Sequence, residues 1–295
     1  MKKYRLLIDV EKCIECNNCL MACKDEHIDN EWPGYTLSQP RHGGHRWVDI
    51  MRKERGQYPI VDAAFLPTPC MQCDNAQCIK ASDGAIYKRE DGIVMIDPEK
   101  AKGKKQLVES CPYKMIHWNE EEKVPQKCTL CAHLLDKGWE KPRCVQACPT
   151  GALSILYADD AEMNKIKQDE QLETLYPNYN TDPNVYYKNL YRFNKCFIAG
   201  SVAIEQNGIV DCAEEVLVKI FQKDRLIGKQ LTDNFGDFKF DKLSENSGSY
   251  RLEFELDGYK KESVVVNLVT SKTLDVVNFQ SIHKKTNTTK IPLKN

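Results

Sequence analysis

The chain has 295 residues, with 42 Lys and Arg against 43 Asp and Glu, so its formal net charge is −1. This balance excludes the basic bias expected of a nucleic-acid-binding protein, and no apolar run is long enough to cross a bilayer as a helix. The N-terminal sequence MKKYRLLIDVEKC lacks the apolar stretch of a secretory signal, because charge returns at Asp9. We therefore expect a cytoplasmic protein without a membrane segment.

Fourteen cysteines distinguish this composition, and twelve of them lie between Cys13 and Cys148. This distribution is too uneven for thiols scattered through a core, and without an export signal a disulfide scaffold is not expected. The sequence therefore predicts a metal-binding domain over residues 1–157. Cys196 and Cys212 lie far from the others in the sequence and are interpreted as ordinary buried thiols.

The first cysteine group is Cys13-x2-Cys16-x2-Cys19-x3-Cys23. This is the spacing of bacterial ferredoxins, in which three cysteines surround one [4Fe–4S] cluster and the fourth ligates a second cluster. Zinc is the alternative metal, but zinc sites usually take their ligands from separated pairs of residues. The group therefore predicts iron–sulfur clusters.

Three more groups follow in the chain: Cys70-x2-Cys73-x4-Cys78, then Cys111 before Pro112, then Cys128-x2-Cys131-x12-Cys144-x3-Cys148 before Pro149. From residue 4 to about residue 157 this pattern resembles the four-cluster electron-transfer subunits of the DMSO reductase family of molybdenum enzymes. The resemblance implies that the first motif shares its clusters with the fourth, and the second motif with the third.

Four ligands of that family pattern are absent. Counting back from Cys111 places the missing cysteines of the third motif at Ala101, Lys104 and Leu107, and the last cysteine of the second motif falls at Ser82. By the ligand exchange of paired motifs, these four positions belong to one cluster. The resemblance thus implies three [4Fe–4S] clusters. Their ligands would be Cys13, Cys16, Cys19 and Cys148 (cluster one); Cys128, Cys131, Cys144 and Cys23 (cluster two); and Cys70, Cys73, Cys78 and Cys111 (cluster three).

The region of the missing cluster is expected to be packed with side chains. Asp97 followed by Pro98 predicts a capped helix start, and Leu107 and Val108 are expected to fill the lost volume.

Basic residues adjoin several of the cysteines. Lys24, Lys127 and Arg143 each lie next to a predicted ligand. Two interpretations remain open for them, since they would either raise the cluster potentials electrostatically or be ordinary solvated charges.

Residues 158–196 are predicted to connect two domains. DDAEMNKIKQDEQLETL indicates a short solvated helix, and YPNYNTDPNVYYKNLYRF indicates an extended segment over a surface. We expect the tyrosines of the second segment to pack within the chain; the alternative is packing on a partner. From residue 197 the pattern alternates with period two in seven short segments. They predict an antiparallel β-sandwich over 197–281 and a flexible tail over 282–295. The segments TDNFGDFKFDKL and GSYRLEFELDGY resemble Ig-like or transthyretin-like sandwich modules. The fold class is therefore α+β, with a bacterial-ferredoxin-like double-motif domain before the sandwich.

Several segments carry a more specific resemblance: EWPGYT (31–36), RHGGHRW (41–47), PTPCMQCDNAQC (67–78) and YYKNLYRF (186–193). With the missing cluster and the appended sandwich, the chain resembles the small iron–sulfur subunits of pyrogallol–phloroglucinol transhydroxylases. This implies a heterodimer whose large subunit binds bis-molybdopterin guanine dinucleotide and holds all catalytic residues. The chain would be a non-catalytic electron-transfer subunit of an enzyme acting on polyhydroxylated aromatics. The alternatives are a subunit of a related catechol dehydroxylase or resorcinol hydroxylase, and a free multicluster ferredoxin.

Overall fold

The computed structural model describes residues 1–206 and 208–279. The predicted tail over 282–295, the end of the predicted sandwich at 280–281 and the turn residue Asn207 lie outside these described residues. The chain divides into two compact units, the first formed by residues 1–53 and 64–193 and the second by residues 54–63 and 194–295. Within the described ranges, no helix has both the length and the apolar character that crossing a membrane requires.

The strands in chain order are β1 Lys3–Asp9, β2 Val48–Gln57, β3 Ile60–Pro69, β4 Ile86–Lys88, β5 Val94–Ile96, β6 His117–Asn119, β7 Val124–Gln126, β8 Leu153–Ala158, β9 Val185–Lys188, β10 Cys196–Gln206, β11 Ile209–Cys212, β12 Leu217–Gln222, β13 Arg225–Leu231, β14 Asp237–Leu243, β15 Gly248–Glu255, β16 Glu262–Leu268, β17 Lys272–Thr273 and β18 Val277–Phe279. The α-helices are α1 Asn18–His27, α2 Gln77–Lys80, α3 Pro98–Ala101, α4 Ala132–Leu135, α5 Arg143–Gln146, α6 Asp160–Asp169 and α7 Tyr191–Asn194. Two 3₁₀ helices span Lys105–Ser110 and Pro177–Tyr179.

A three-stranded sheet in the order β8-β1-β9 forms the centre of the first unit. β1 runs antiparallel to β8 and parallel to β9. Leu6 and Ile8 of β1 are buried in the same apolar core as Tyr187 of β9. The predicted surface position of the YYK segment is therefore wrong, because Tyr187 is inside the unit and its hydroxyl donates to the Pro67 carbonyl at 3.0 Å. The predicted packing of tyrosines within the chain is confirmed.

The polar part of the predicted connector forms helix α6, as expected. The helix begins with a capping box in which the Asp159 side chain accepts from the N–H of Glu162 and the Glu162 side chain accepts from the N–H of Asp159. These two hydrogen bonds satisfy backbone donors that the first turn of a helix leaves unpaired. Local sequence alone therefore accounts for the start of this helix.

The second unit consists of two sheets around one apolar core. One sheet has the order β11-β10-β14 with β17 and β18 also paired to β10, and the other has the order β13-β12-β15-β16. The expected antiparallel pairing is wrong in part, since β17 and β18 run parallel to β10. The seventh predicted strand is divided into β17 and β18, and β11 is an additional strand. Alternation predicts which face of a strand is buried, but not which strand is its neighbour.

The tip of the β2–β3 hairpin, residues 54–63, belongs to the second unit. The guanidinium of Arg55 is buried and donates to the Asp241 carboxylate at 2.9 Å, and it also pairs with Asp62. At Gly56, where φ is +85°, a Cβ atom would lie 2.5 Å from the ring of Phe197. Glycine is therefore required at this position, both for the backbone conformation and for the close approach.

Candidate metal centres

We group the twelve predicted ligands into three sets. They are set one (Cys13, Cys16, Cys19 and Cys148), set two (Cys128, Cys131, Cys144 and Cys23) and set three (Cys70, Cys73, Cys78 and Cys111).

Two helical segments, α1 and α5 with the residues after it, supply ligands to both set one and set two. Helix α1 holds Cys19 and Cys23 four residues apart, so both thiols lie on its buried face. Helix α5 holds Cys144, and Cys148 follows four residues later. Because α1 and α5 pack against each other, each of these two segments brings one thiol of set one and one thiol of set two to the same region.

The thiols of set one lie close to one another. Burial raises the pKa of the Cys13 thiol, and the thiolates of Cys148 and Cys16 raise it further. Burial raises the pKa of Cys19 to about 11, and the other three thiolates of the set add to this shift. Burial acts in the same direction on Cys148, but hydrogen bonds from residues 150–153 outweigh it, so the pKa of Cys148 is lowered.

Set two is more deeply buried and lies beside set one. Burial raises the pKa of Cys23 well above its usual range, and the thiolates of Cys128 and Cys131 act in the same direction. Cys144 shows the same raised pKa from burial and from these neighbours. The thiolate of Cys19 contributes to the raised pKa of both Cys23 and Cys144. Sets one and two are therefore neighbours, in agreement with the exchange of ligands between their motifs.

Set three surrounds a cavity, which Lys127 also lines. Burial raises the pKa of Cys73 to about 12, and the other three thiolates of the set raise it further. Burial also raises the pKa of Cys78 to about 11. The pKa of Cys128 is raised to about 11, mainly by burial and then by the Cys70 thiolate. Set two therefore borders set three as well as set one.

The backbone of the cysteine loops is arranged to receive anionic sulfur. Left-handed residues occur among other conformations in these loops, an arrangement that can turn successive N–H groups toward a concave anion site. The N–H of Leu130 donates to the Cys128 sulfur at 3.3 Å, and the N–H of Met115 donates to the Cys111 sulfur at 3.5 Å. The loop residues with φ between 49° and 60° are Glu15, Asn17, Gln72, Leu130 and Cys131.

A single metal ion and an iron–sulfur cluster require different spacings of their thiolate ligands. In the part of the chain that the structure describes, no three His, Cys, Asp or Glu side chains are close enough to hold one metal ion. A zinc ion would draw its sulfur ligands to about 2.3 Å from a common point. A [4Fe–4S] cluster holds its four thiolates on separate iron atoms and so keeps them farther apart.

The positions of the missing fourth ligand set are filled by packed side chains. Ala101 and Leu107 are buried in an apolar cluster with Ile86. The hydroxyl of Ser82 accepts a hydrogen bond from the Ile86 N–H at 3.0 Å, and the Lys104 ammonium donates to the Ser82 carbonyl at 3.3 Å. A hydrogen-bonded apolar core therefore occupies this region.

Two predictions about this region are confirmed. Asp97 caps α3, because its side chain accepts from the N–H groups of Glu99 and Lys100. Leu107 is 1% exposed, and Val108 packs against the same apolar cluster. Cys78 and Cys111 of set three pack against this cluster too, so the filled region supports one side of the set-three cavity.

The three basic residues beside the ligands differ in their surroundings. Lys127 is 3% exposed and donates to the Cys128 carbonyl at 2.9 Å, which excludes a solvated surface charge at this position. Arg143 is half-buried and pairs with Glu26 at 3.1 Å. Lys24 is also half-buried, and burial lowers its pKa.

Gln72 links two of the ligand loops through contacts that the sequence does not predict. Its side-chain amide donates to the Cys128 carbonyl at 3.2 Å, and its side-chain carbonyl accepts from the Val94 N–H at 2.8 Å. Gln72 thereby joins the loop of set three to a backbone carbonyl of set two. The sequence places Gln72 between two predicted ligands, Cys70 and Cys73, but it does not reveal that the side chain contacts the distant Cys128 carbonyl.

Cys196 and Cys212 lie in the second unit, outside the three sets. The prediction of a buried thiol is correct for Cys196, which is 2% exposed on β10. It is wrong for Cys212, which is exposed. Among the described strands β11 pairs with β10 alone, and all four of its residues are exposed, so its position at the edge of the described sheet accounts for the difference.

Comparison with known proteins agrees with this geometry. A family model described as a 4Fe-4S dicluster domain matches residues 61–157. The pyrogallol hydroxytransferase small subunit of Pelobacter acidigallici is 47% identical over 279 residues, covering 94% of this chain and 98% of that protein. A putative dimethyl sulfoxide reductase iron–sulfur subunit of Halobacterium salinarum is 33% identical, covering 64% of this chain and 80% of that protein. A tetrathionate reductase subunit of Salmonella typhimurium is 32% identical, covering 64% of this chain and 73% of that protein. The chain therefore belongs to the family of pyrogallol hydroxytransferase small subunits, within the iron–sulfur subunits related to those of the DMSO reductase family.

Proposed function

We propose that this chain binds three [4Fe–4S] clusters, one in each cysteine set, and transfers electrons for a catalytic partner. The observation that carries the proposal is the grouping of twelve thiols into three sets of four, next to a fourth position that is packed with Ser82, Ala101, Lys104 and Leu107. Each cluster, when bound, takes up or releases one electron at a time. The set-two thiols border both other sets, so an electron path from set one through set two to set three follows from the arrangement.

The protein side of this function is to bind the clusters and to shield them from water. Nine of the twelve ligand thiols have a raised pKa in which burial is the largest cause, so the thiolate form needs a compensating positive charge. Iron supplies that charge in an iron–sulfur site. The N–H groups of Leu130 and Met115 donate to ligand sulfurs and would stabilise the reduced form.

The proposed partner is a larger subunit that binds bis-molybdopterin guanine dinucleotide and carries the catalytic residues. The relative from Pelobacter acidigallici is named as the small subunit of a pyrogallol hydroxytransferase, which supports a partner that acts on polyhydroxylated aromatic rings. No residue of this chain is proposed to be catalytic. The expected cytoplasmic location stays a prediction.

Set one offers a face for contact with that partner. Cys16 is exposed, and two large apolar side chains near it in the sequence, Ile14 and Met21, are 61% and 63% exposed. An exposed cluster ligand shortens the distance for electron exchange across an interface, and exposed apolar residues favour burial against a partner. We include this face in the proposal as a contact with the large subunit.

The domain limits of the proposal are those expected from the sequence. They are a cluster domain over 1–157, a connector over 158–196 and a sandwich over 197–281 of Ig-like or transthyretin-like type. The two sheets around one apolar core in the second unit support the sandwich. We propose that it serves as a spacer or a contact surface.

Metal analysis of the complex tests the proposal. The tagged chain is isolated anaerobically from its native host under mild conditions, and iron and molybdenum are quantified for each copy of the chain. The expected result is about twelve irons, from three [4Fe–4S] clusters, with about one molybdenum and a co-purifying chain of larger mass. Twelve irons without molybdenum would favour a free multicluster ferredoxin. Eight or fewer irons in undamaged protein would contradict the assignment of three clusters.

A further inference from the structure

The Lys127 side chain lies at the boundary between sets two and three. It lines the cavity that the four thiols of set three surround. Its ammonium donates to the carbonyl of Cys128, a member of set two, at 2.9 Å. One cationic group therefore reaches the cavity of one set and the backbone of the other.

This boundary is an environment of low dielectric constant. Cys70 of set three and Cys128 of set two are buried in one apolar cluster together with Trp47 and Met115. Lys127 is itself only 3% exposed. Charges interact far more strongly in such surroundings than in water, so a cation here acts on nearby clusters with little screening.

The charge of Lys127 has no carboxylate to neutralise it. Its hydrogen bonds go to the backbone carbonyls of Val94 and Cys128, and no Asp or Glu forms an ion pair with it among residues 1–206 and 208–279. Lys88 differs from Lys127 in having a carboxylate partner. Its ammonium donates to the carbonyl of a set-three ligand, Cys73, and forms an ion pair with Asp74 at 2.5 Å. An ammonium group has three donors, so one N–H of Lys127 is available to an acceptor in the cavity.

Burying an ammonium group without a counter-charge strongly disfavours folding. This cost is offset if an anion is bound in the cavity, and a [4Fe–4S] cluster with four thiolates is such an anion. We propose that Lys127 is the counter-charge for the clusters of sets two and three and raises the reduction potential of both. Reduction adds negative charge to a cluster, so a fixed nearby cation favours the reduced form. This inference rests on the proposed function.

Redox titration of the anaerobically isolated complex tests this role. Lys127→Met removes the charge with little change in volume, and Lys127→Gln removes the charge but keeps a hydrogen-bond donor. The matched control is Lys104→Met, because Lys104 also donates to a backbone carbonyl, that of Ser82, at 3.3 Å. The potentials are followed by electron paramagnetic resonance, and the signal of the set-three cluster is identified as the one that Cys78→Ser alters.

At a fixed potential, both Lys127 variants are expected to lower the reduced-to-oxidised ratio of the set-three cluster about tenfold, which is about 59 mV for a one-electron couple. The set-two cluster should shift in the same direction, and Lys104→Met should leave both unchanged. Equal potentials in wild type and Lys127→Met, or an equal shift in Lys104→Met, would overturn the inference. A shift in Lys127→Met alone would also overturn it, because the donor rather than the charge would then be responsible.

Iron analysis separates this inference from the proposed function. Fewer than about twelve irons in the wild type would contradict the proposed function, whereas a full complement with unchanged potentials contradicts only the role of Lys127. If both neutral variants lose iron, Lys127→Arg decides the question. Retained iron and potentials in that variant would support the requirement for a cation, and loss of iron there too would overturn it.

Discussion

The two units of this protein form their interiors by different means. In the second unit, regular strands bury alternate side chains, as β15 does with Tyr250, Leu252 and Phe254. In the first unit, the ligand segments are loops and helices as short as four residues, such as α2 and α5. Helices of that length are not stable by themselves in water. The second unit therefore owes its fold to an apolar core, whereas the ligand loops of the first unit depend on what the thiols bind.

The same contrast appears in the buried polar groups. The first unit buries Lys127 without a carboxylate partner among the described residues, next to the cysteine loops, whereas the buried Arg55 of the second unit pairs with Asp241 and Asp62. A buried charge is costly unless it is paired, so the unpaired cation near the thiols agrees with a bound anionic cofactor.

Loss of iron is expected to have the largest effect and to affect mainly the first unit. Without clusters, the raised-pKa thiols of the three sets lose the positive charge that holds them together, and binding of metal to such sites contributes on the order of 10 kcal/mol. After chelation of iron from the full-length chain, amide hydrogen exchange should become fast in the ligand loops and stay slow in β12 and β15. Slow exchange in both units after complete iron removal would contradict the proposed dependence.

Loss of one shared ligand is the next largest effect. Cys23→Ser should disrupt the cluster held by Cys128, Cys131 and Cys144 and lower the iron content by up to about four per chain. The matched control is Cys196→Ser in the second unit, which should leave iron unchanged and lower stability by about 1–3 kcal/mol through its buried hydroxyl. Electron paramagnetic resonance distinguishes the clusters. If Cys23→Ser altered only the signal that Cys13→Ser also alters, the assignment of Cys23 to set two would be wrong.

A cavity in the sandwich core should destabilise the second unit without removing iron. Phe254 is fully buried and lies edge-to-face with Phe238, with ring centroids 5.4 Å apart. Phe254→Ala is expected to lower the unfolding free energy by about 3–5 kcal/mol, measured by exchange of the β15 amides in urea. Val265 on the neighbouring strand is 68% exposed, so Val265→Ala should change the unfolding free energy by less than about 0.5 kcal/mol. Loss of iron in Phe254→Ala would show that iron binding by the first unit depends on the stability of the second unit.

Mild acid should give the smallest effect, and only in the first unit. His27 is 1% exposed, and burial followed by the charge of His133 lowers the pKa of His27 to about 3. The unfolded chain binds a proton on this histidine below pH about 6.5 while the folded chain does not, so stability is present above that pH and is lost as the pH falls. Between pH 7 and 5.5 the loss should be about 1 kcal/mol.

The readout is the urea concentration at which the iron–sulfur absorbance is lost. His27→Gln should reduce its dependence on pH, and the same change at the exposed His42 should not. If the urea concentration for His27→Gln depended on pH as strongly as it does for the wild type, another group would be responsible for the acid sensitivity.

Much of the candidate site could be predicted from the sequence. Ligand spacing is local, because a loop of two intervening residues and a helical step of four residues bring thiols such as Cys19 and Cys23 together wherever the segment lies. The absence of four related cysteines is likewise a property of positions along the chain. Alternation of apolar residues is local too, and it correctly marks the buried face of β15.

The tertiary structure alone decided which distant groups meet. The burial of Lys127 at the edge of the set-three cavity, the contact of Gln72 with the Cys128 carbonyl and the parallel pairing of β17 and β18 with β10 all join residues far apart in the chain. Arg55 likewise joins the hairpin tip to Asp241 of the sandwich unit. Spacing and alternation describe a residue relative to its neighbours in sequence, whereas burial of a charge or the choice of a strand partner depends on the packing of the whole unit.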